Sequence, residues 1–410
     1  MKAVGLVVEF NPFHNGHAYY VQEAKKQTKS DLAIAVMSGN FLQRGEPALV
    51  SKWSRTRMAL QNGVDIIIEL PYMYAVQRAD IFAYGAVNIL NHIGCSTLFF
   101  GSEDGEIEHF YHGLEIYQKE EKNIYNAFKK EIKTGKNYAA SMAKSFETYL
   151  DKKGVNLALP NNILGFHYVK TIKDLNLPIK PMTGPRLHQG YHELVLPKNK
   201  KSFASATSIR NALFETGDIN KIKEFIPDNI ASELKLYKEK YGMWHSHEDY
   251  FSFLKYNLSL LSEKELSQIY EVEEGLENRI LKLYLNAPSF QEYMTRLKTK
   301  RYTWTKLQRL NVHLLTHAKN KELSQLLHEG IPYIRILGMT TKGQSFLSNK
   351  KKDLEFPLIS NPSKYSHTAL KLDIKASLVY SAPLTEPTRS EFYKQEFSPI
   401  RYNEINKVFL

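Results

Sequence analysis

Two histidines, His14 and His17, stand three positions apart in the run Val4-Gly5-Leu6-Val7-Val8-Glu9-Phe10-Asn11-Pro12-Phe13-His14-Asn15-Gly16-His17. A pair of imidazoles can hold a phosphate whose charge grows during displacement. The flanking residues say how such a pair is placed. Residues 3–8 are a short, β-branched apolar run, which predicts a buried strand. Asn11-Pro12 breaks the chain. From Gly16 onward Ala18, Val21 and Ala24 keep helical spacing. The histidines therefore fall where a strand hands over to a helix start, and the free N–H groups and positive dipole end there attract phosphate. Gly16 lets a nucleotide come close to the backbone. The competing readings are a surface turn or half of a zinc site. Zinc needs more ligands, and the single cysteine, Cys95, lies in an apolar run (93–100) that reads as a buried strand, so no metal set is expected.

A second constellation is Ser205-Ala206-Thr207-Ser208-Ile209-Arg210. Taken alone, Ser205 and Ser208 read as ordinary N-caps. Arg210 is different, because the first turns of a helix favour an acid. An arginine there makes better sense facing phosphate oxygens. Two such helix starts could grip one triphosphate from both ends. A third constellation is the basic, aromatic-interleaved run 296–309, with Lys300, Arg301, Tyr302, Trp304, Lys306 and Arg309. Cations for phosphates and rings for unpaired bases suit RNA. A cationic helix face with its aromatics in the core is the competing reading. Lys198 to Lys201 and Lys350 to Lys352 are weaker candidates of the same kind.

The elements that must position these residues alternate in the first half. Residues 32–37, 64–70 and 97–100 read as strands, and 51–62 and 79–92 as helices. Near-continuous apolar strands alternating with helices imply a Rossmann-like parallel sheet covered on both faces. Ligands bind such sheets beyond the C-terminal strand ends, where strand order reverses. His14, the Ser38-Gly39-Asn40 turn and the Gly101-Ser102 turn belong to that rim. The loop 39–44 borders it; Gln43 could read a base edge and Arg44 a phosphate or carboxylate, against a rigid turn with a solvated arginine. Lys52 and Arg55, opening the next helix, read as a solvated face. Residues 107–150 read as helices, Pro160-Asn161-Asn162 as the start of another, and 179–182 as a strand. Beyond residue 241 helical periodicity dominates through 327, and 331–337 and 369–378 are shorter segments compatible with β structure. The expected division is an α/β nucleotide-binding domain (1–240) and a mostly helical basic domain (241–410).

The 410 residues carry a net charge of +12, which favours a polyanionic partner, although many basic proteins bind no nucleic acid. One cysteine excludes an internal disulfide framework and a disulfide-linked partner is not expected; cytoplasmic chemistry fits. No apolar run approaches a membrane span, and the opening apolar run is too short, and interrupted by Glu9 and Asn11, to be a signal peptide.

His14-Asn15-Gly16-His17 resembles the HxGH signature of the adenylyltransferase superfamily, and Ser205 to Arg210 resembles the second phosphate motif of its smaller members. The longer strings Val8 to His17, Met37-Ser38-Gly39-Asn40-Phe41-Leu42-Gln43-Arg44-Gly45-Glu46-Pro47 and Leu159-Pro160-Asn161-Asn162-Ile163-Leu164 resemble the bacterial tRNA(Met) cytidine acetate ligases over both halves of the chain. The resemblance implies activation of acetate by ATP to acetyl-adenylate, then acetyl transfer to N4 of the wobble cytidine of elongator tRNA(Met). It implies His14 and His17 as catalytic contacts to the α-phosphate. It implies an ATP site from Gly5, Val7, Val8, Glu9, Phe10, Asn11, Pro12, Phe13, His14, Asn15, Gly16, His17, Gly101, Ser102, Asn162, Arg186, Ser205, Ser208 and Arg210. Asn162 reads equally as a helix cap. Mg²⁺ is expected with the triphosphate, with no protein ligand nameable. Lys300, Arg301, Lys306 and Arg309 are the tRNA candidates. The alternatives are a small-molecule adenylyltransferase, an acetate ligase acting on a protein thiol in the manner of citrate lyase ligase, and a non-catalytic RNA-binding protein.

Overall fold

Apolar side chains on both faces of successive strands dictate a sheet buried between two layers. In β2 (Leu32–Ser38), Leu32, Ile34 and Val36 enter one core while Ala33, Ala35 and Met37 enter the other. The computed structural model describes residues 1–134, 138–150, 154–186, 194–197, 203–273 and 275–410. β1 (Ala3–Val8), β2, β3 (Ile66–Leu70), β4 (Thr97–Ser102) and β5 (Lys180–Pro185) are parallel and ordered β5-β4-β1-β2-β3. The chain builds outward from β1 to β3, then returns to the other side of β1 with β4. The strand order thus reverses between β1 and β4, where a crevice opens.

Helices α1 (Asn15–Thr28) and α2 (Lys52–Gln61) cover the face that receives Ala33 and Ala35. The short α3 (Tyr72–Ala75) and α4 (Ala79–His92) cover the other, with Ala83, Ala86, Val87 and Leu90 against the strands. The second half of the chain extends the same sheet. β6 (Ile334–Thr340), buried along its whole length, runs antiparallel to β3. β7 (Leu358–Ile359) and β8 (Ile400–Asn403) pair with β6, and β9 (Val408–Phe409) closes the edge on β8. The expected parallel strands are present, and these additions make the sheet mixed.

Two segments differ from expectation. Cys95 is in the turn that ends α4 rather than in a strand; its N–H donates to the Leu90 carbonyl (3.0 Å), just after Gly94 in the left-handed region. Residues 369–378 alternate apolar and polar as a strand does, yet form the helix Thr368–Tyr380. The alternation misleads because two polar residues point inward with work to do. Asp373 accepts hydrogen bonds from the Tyr72 N–H (2.7 Å) and the Tyr333 hydroxyl, and Ser377 accepts one from the Asn40 side chain (3.0 Å). Leu378 is left facing outward. Among the described residues no helix is long and apolar enough to cross a membrane. The lysine run 198–201 lies outside the described residues.

Candidate active site

His14 is the N-cap residue of α1, extended in backbone (φ −143°, ψ 173°) and almost wholly buried. His17, one turn on, stacks on it with ring centroids 3.6 Å apart. The backbone N–H of His14 donates to His17 Nδ1 (3.3 Å). Beneath His17 lie Phe10 (5.0 Å, edge-on) and Phe13 (5.6 Å), both buried. Phe10 adopts φ +50°, an uncommon backbone for an aromatic residue, at the bend between β1 and α1. Phe13 therefore builds the floor of the site rather than its surface. Asn15 faces away, its side-chain amide donating to the Glu224 carbonyl (2.9 Å).

The histidine pair opens onto a cleft of about 1800 Å³ at the C-terminal rim of β1 and β4. Val7, Val8, Glu9, Phe10, Asn11 and Gly16 line one wall, and Gly101 and Arg186 the adjoining one. Gly5 is not at this wall; a Cβ there would stand 2.8 Å from the Leu90 side chain, so the glycine serves strand-to-helix packing. Pro12, Phe13, Asn15, Ser102, Asn162 and Ser208 are likewise absent from the lining. Asn162 Oδ1 accepts the backbone N–H groups of Glu103 (3.0 Å) and Asp104 (3.1 Å), fixing the turn after β4. Its neighbour Asn161 faces the cleft and receives the Arg186 guanidinium. Tyr20, one turn beyond His17 on the same helical face, joins Arg186 and Gly101 in this corner. Its i+3 spacing from His17 was the available signal for it.

The second motif meets the first. Ser205 caps the helix Ala206–Thr216 by accepting the Ser208 N–H (3.0 Å) and also lines the cleft; the Ser208 hydroxyl turns back to the Ser205 carbonyl (2.9 Å). Arg210 reaches across to donate to the Asn11 carbonyl (2.8 Å) and pairs with Glu46 (3.1 Å). Burial would push the Glu46 carboxyl up, but Arg210, His247 and Arg44 together hold it below the usual carboxylate range. Glu46 and Arg44 come from the loop after β2, in which Gln43 donates through its side chain to the Gln77 carbonyl (2.8 Å).

Lys52 and Arg55 are not a solvated face; both are fully buried. Arg55 donates to the carbonyls of Glu9 (2.7 Å) and Ser38 (3.1 Å) and to that of Gly39. One guanidinium thereby ties together the C-terminal ends of β1 and β2. Burial draws its pKa down to about 10, still far above neutrality, so the cation persists.

The opposite wall comes from the second half of the chain. Arg301, Lys306 and Arg309 line the same cleft as the histidines, while Lys300 does not. Lys306 pairs with Glu273 (2.9 Å) and Arg309 with Glu271 (2.7 Å). Tyr302 is buried and Trp304 packs on the core, as the structural alternative for this run anticipates.

A family model described as HIGH Nucleotidyl Transferase matches residues 1–396, and fold and site together define a nucleotidyltransferase of that class. The chain is 56% identical over 414 residues to the tRNA(Met) cytidine acetate ligase of Bacillus velezensis, covering all of both chains. Against the protein of the same name from Bacillus subtilis the identity is 52%, again over the full length of both. The chain belongs to the tRNA(Met) cytidine acetate ligase family. The crystal structure of apo Thermotoga maritima TmcAL superposes with a TM-score of 0.89 at 30% identity, covering 98% of this chain and 99% of that one. The same protein bound with alpha-thio ATP gives a TM-score of 0.87 with the same coverage.

Proposed function

We propose that this chain binds ATP at the histidine pair, joins acetate to its α-phosphate, and passes the acetyl group to N4 of the wobble cytidine of elongator tRNA(Met). The observation that carries this reading is the meeting of the two motifs: stacked His14 and His17 at a helix start, with Arg210 bound to the carbonyl of Asn11 beside them. Acetate is a weak nucleophile, so the α-phosphorus must be made electron-poor. With His17 Nδ1 accepting a backbone N–H, the ring proton is carried on Nε2, the nitrogen suited to a phosphate oxygen. The helix start adds its N–H groups and dipole. Arg210 is placed to exchange Glu46 for the departing diphosphate. Gly101, Arg186 and Tyr20 form the corner suited to the nucleoside.

The cleft is larger than a nucleotide needs, and its far wall carries Arg301 and Lys306, which suits an RNA strand entering from the side of residues 241–410. Arg309, buried against Glu271, holds that wall in place rather than offering a free charge. A tRNA substrate puts the reaction in the cytoplasm. Mg²⁺ is expected to accompany the triphosphate, but among the described residues no three His, Cys, Asp or Glu side chains group to hold an ion.

Nucleoside mass spectrometry after incubating the chain with ATP, acetate and tRNA tests the reading. N4-acetylcytidine should appear only when all three are present, with one AMP formed per acetyl group. Acetate-dependent AMP without an acetylated nucleoside would instead favour a protein thiol as acceptor.

A further inference from the structure

Acetyl transfer to an exocyclic amine needs somewhere to put a proton. As the N4–carbon bond forms, the bond from the acetyl carbon to the adenylate oxygen breaks, and AMP leaves with that electron pair. N4 must also lose one proton, or the cationic intermediate collapses backwards. A base within reach of the acetyl carbon is therefore required.

The cleft contains several carboxylates, and nearly all are engaged. Glu46 faces Arg210, Glu271 faces Arg309, and Glu273 faces Lys306. Glu103 accepts the backbone N–H of Asn162 (2.9 Å) and the side chain of Asn161 (2.6 Å). Glu23 sits two turns along α1 and accepts from Gln27 (3.0 Å). His17 uses Nδ1 as an acceptor, which leaves Nε2 a donor. Glu9 differs from all of these. It follows the last residue of β1 and lines the cleft between the histidine wall and the loop after β2. Its Oε1 is aimed by the Gln43 N–H (2.8 Å) and the Ser38 hydroxyl (3.4 Å). Among the described residues nothing binds Oε2. Its backbone is fixed by Arg55, so the carboxylate is held at the strand end where the reacting groups must lie.

We propose that Glu9 is the general base of the transfer step, its Oε2 taking the proton that N4 sheds as it attacks the acetyl carbonyl. Burial raises the Glu9 carboxyl above its usual range and Glu46 adds to this, while the Gln43 N–H, Arg44 from the same loop and Arg55 from α2 pull it back; Tyr168 faces it from the helix Pro160–Asp174. A buried carboxylate of raised pKa is a stronger base than an exposed one. The assignment rests on the ligase reading above.

Glu9→Gln keeps the acceptor for Gln43 and removes the basic oxygen. Two steps are measured on the full chain: acetate-dependent exchange of diphosphate into ATP, and single-turnover acetyl transfer to tRNA. Transfer should fall about 10²–10³-fold further than exchange. The wild-type transfer rate should rise with pH as Glu9 ionises, and that limb should vanish in the variant. Equal losses in both steps, or an unchanged pH limb, would overturn the assignment and leave Glu9 a structural group. A wild-type chain with exchange but no transfer to tRNA would sink the ligase reading, and this base with it.

Discussion

His17 divides its two ring nitrogens between structure and chemistry. Nδ1 accepts the His14 N–H at 3.3 Å, and the rings of Phe10 and Phe13 pack against the imidazole. The donor on Nε2 is thus set before any nucleotide arrives, which is how a preorganised site avoids reorganisation during reaction. Replacing His17 by Ala removes one such donor. Acetate-dependent diphosphate exchange should drop about 10²–10³-fold, while loss of the cap contact costs only about 0.5–2 kcal/mol in urea unfolding. An activity loss no larger than the unfolded fraction explains would show that the ring is merely a cap. What was legible in the sequence at this scale was whatever a residue's immediate neighbours in the chain declare. The strand, the break and the helix start around His14 are all within a few residues of each other, so periodicity and turn chemistry place them. Arg210 stood out because it sits where a helix start disfavours a cation.

Loop and helix decide what the sequence hid. Ser51-Lys52-Trp53-Ser54-Arg55 looks like a polar helix opening, and nothing local says that Arg55 will be spent on carbonyls at the ends of β1 and β2. The helix Thr368–Tyr380 was obscured in the same way, since Asp373 and Ser377 find their partners around Tyr72 and Asn40, far away in the chain. The loop after β2 is a comparable case. Its Gly45 has φ +78°, and a Cβ there would come within 2.2 Å of the Arg309 backbone nitrogen in the helix Trp304–Thr316. The Gly45 carbonyl accepts from His247 Nε2 (2.9 Å), so at Gly45 the loop is docked closely on the second half. Gly45→Ala should cost about 2 kcal/mol or more, from the left-handed backbone and the overlap together. Because the loop carries Gln43, Arg44 and Glu46 between the two walls, acetyl transfer should suffer more than diphosphate exchange. A variant with wild-type urea midpoint and unchanged transfer would mean that the loop does not rely on this contact.

Across the whole molecule the two halves are joined beneath the site by buried charge. Lys52 in α2 lies 2.9 Å from both Glu69 in β3 and Glu396 near the C-terminus. Arg335 in β6 pairs with the same two carboxylates at 2.8 and 2.6 Å. Two cations and two anions, all nearly inaccessible, balance in an interior where an uncompensated charge is expensive. A Cβ on Gly39 would stand 2.7 Å from a Glu69 oxygen, so the network reaches the loop that borders the cleft. Burial opposes ionisation of Glu396, but Lys52 and Arg335 more than offset it and lower its pKa to about 2, below the ordinary 4.5. A carboxyl depressed by folding adds stability above its unfolded pKa and loses it as pH falls toward its folded one. The native chain should therefore lose stability between pH 4.5 and about 2 as Glu396 takes up its proton. Glu396→Gln leaves two buried cations facing one carboxylate and should cost about 3–5 kcal/mol at neutral pH. The same variant should show a flatter decline in its urea midpoint across that acidic window, since the titrating group is gone. Parallel declines in both proteins would assign the acid sensitivity to carboxylates other than Glu396.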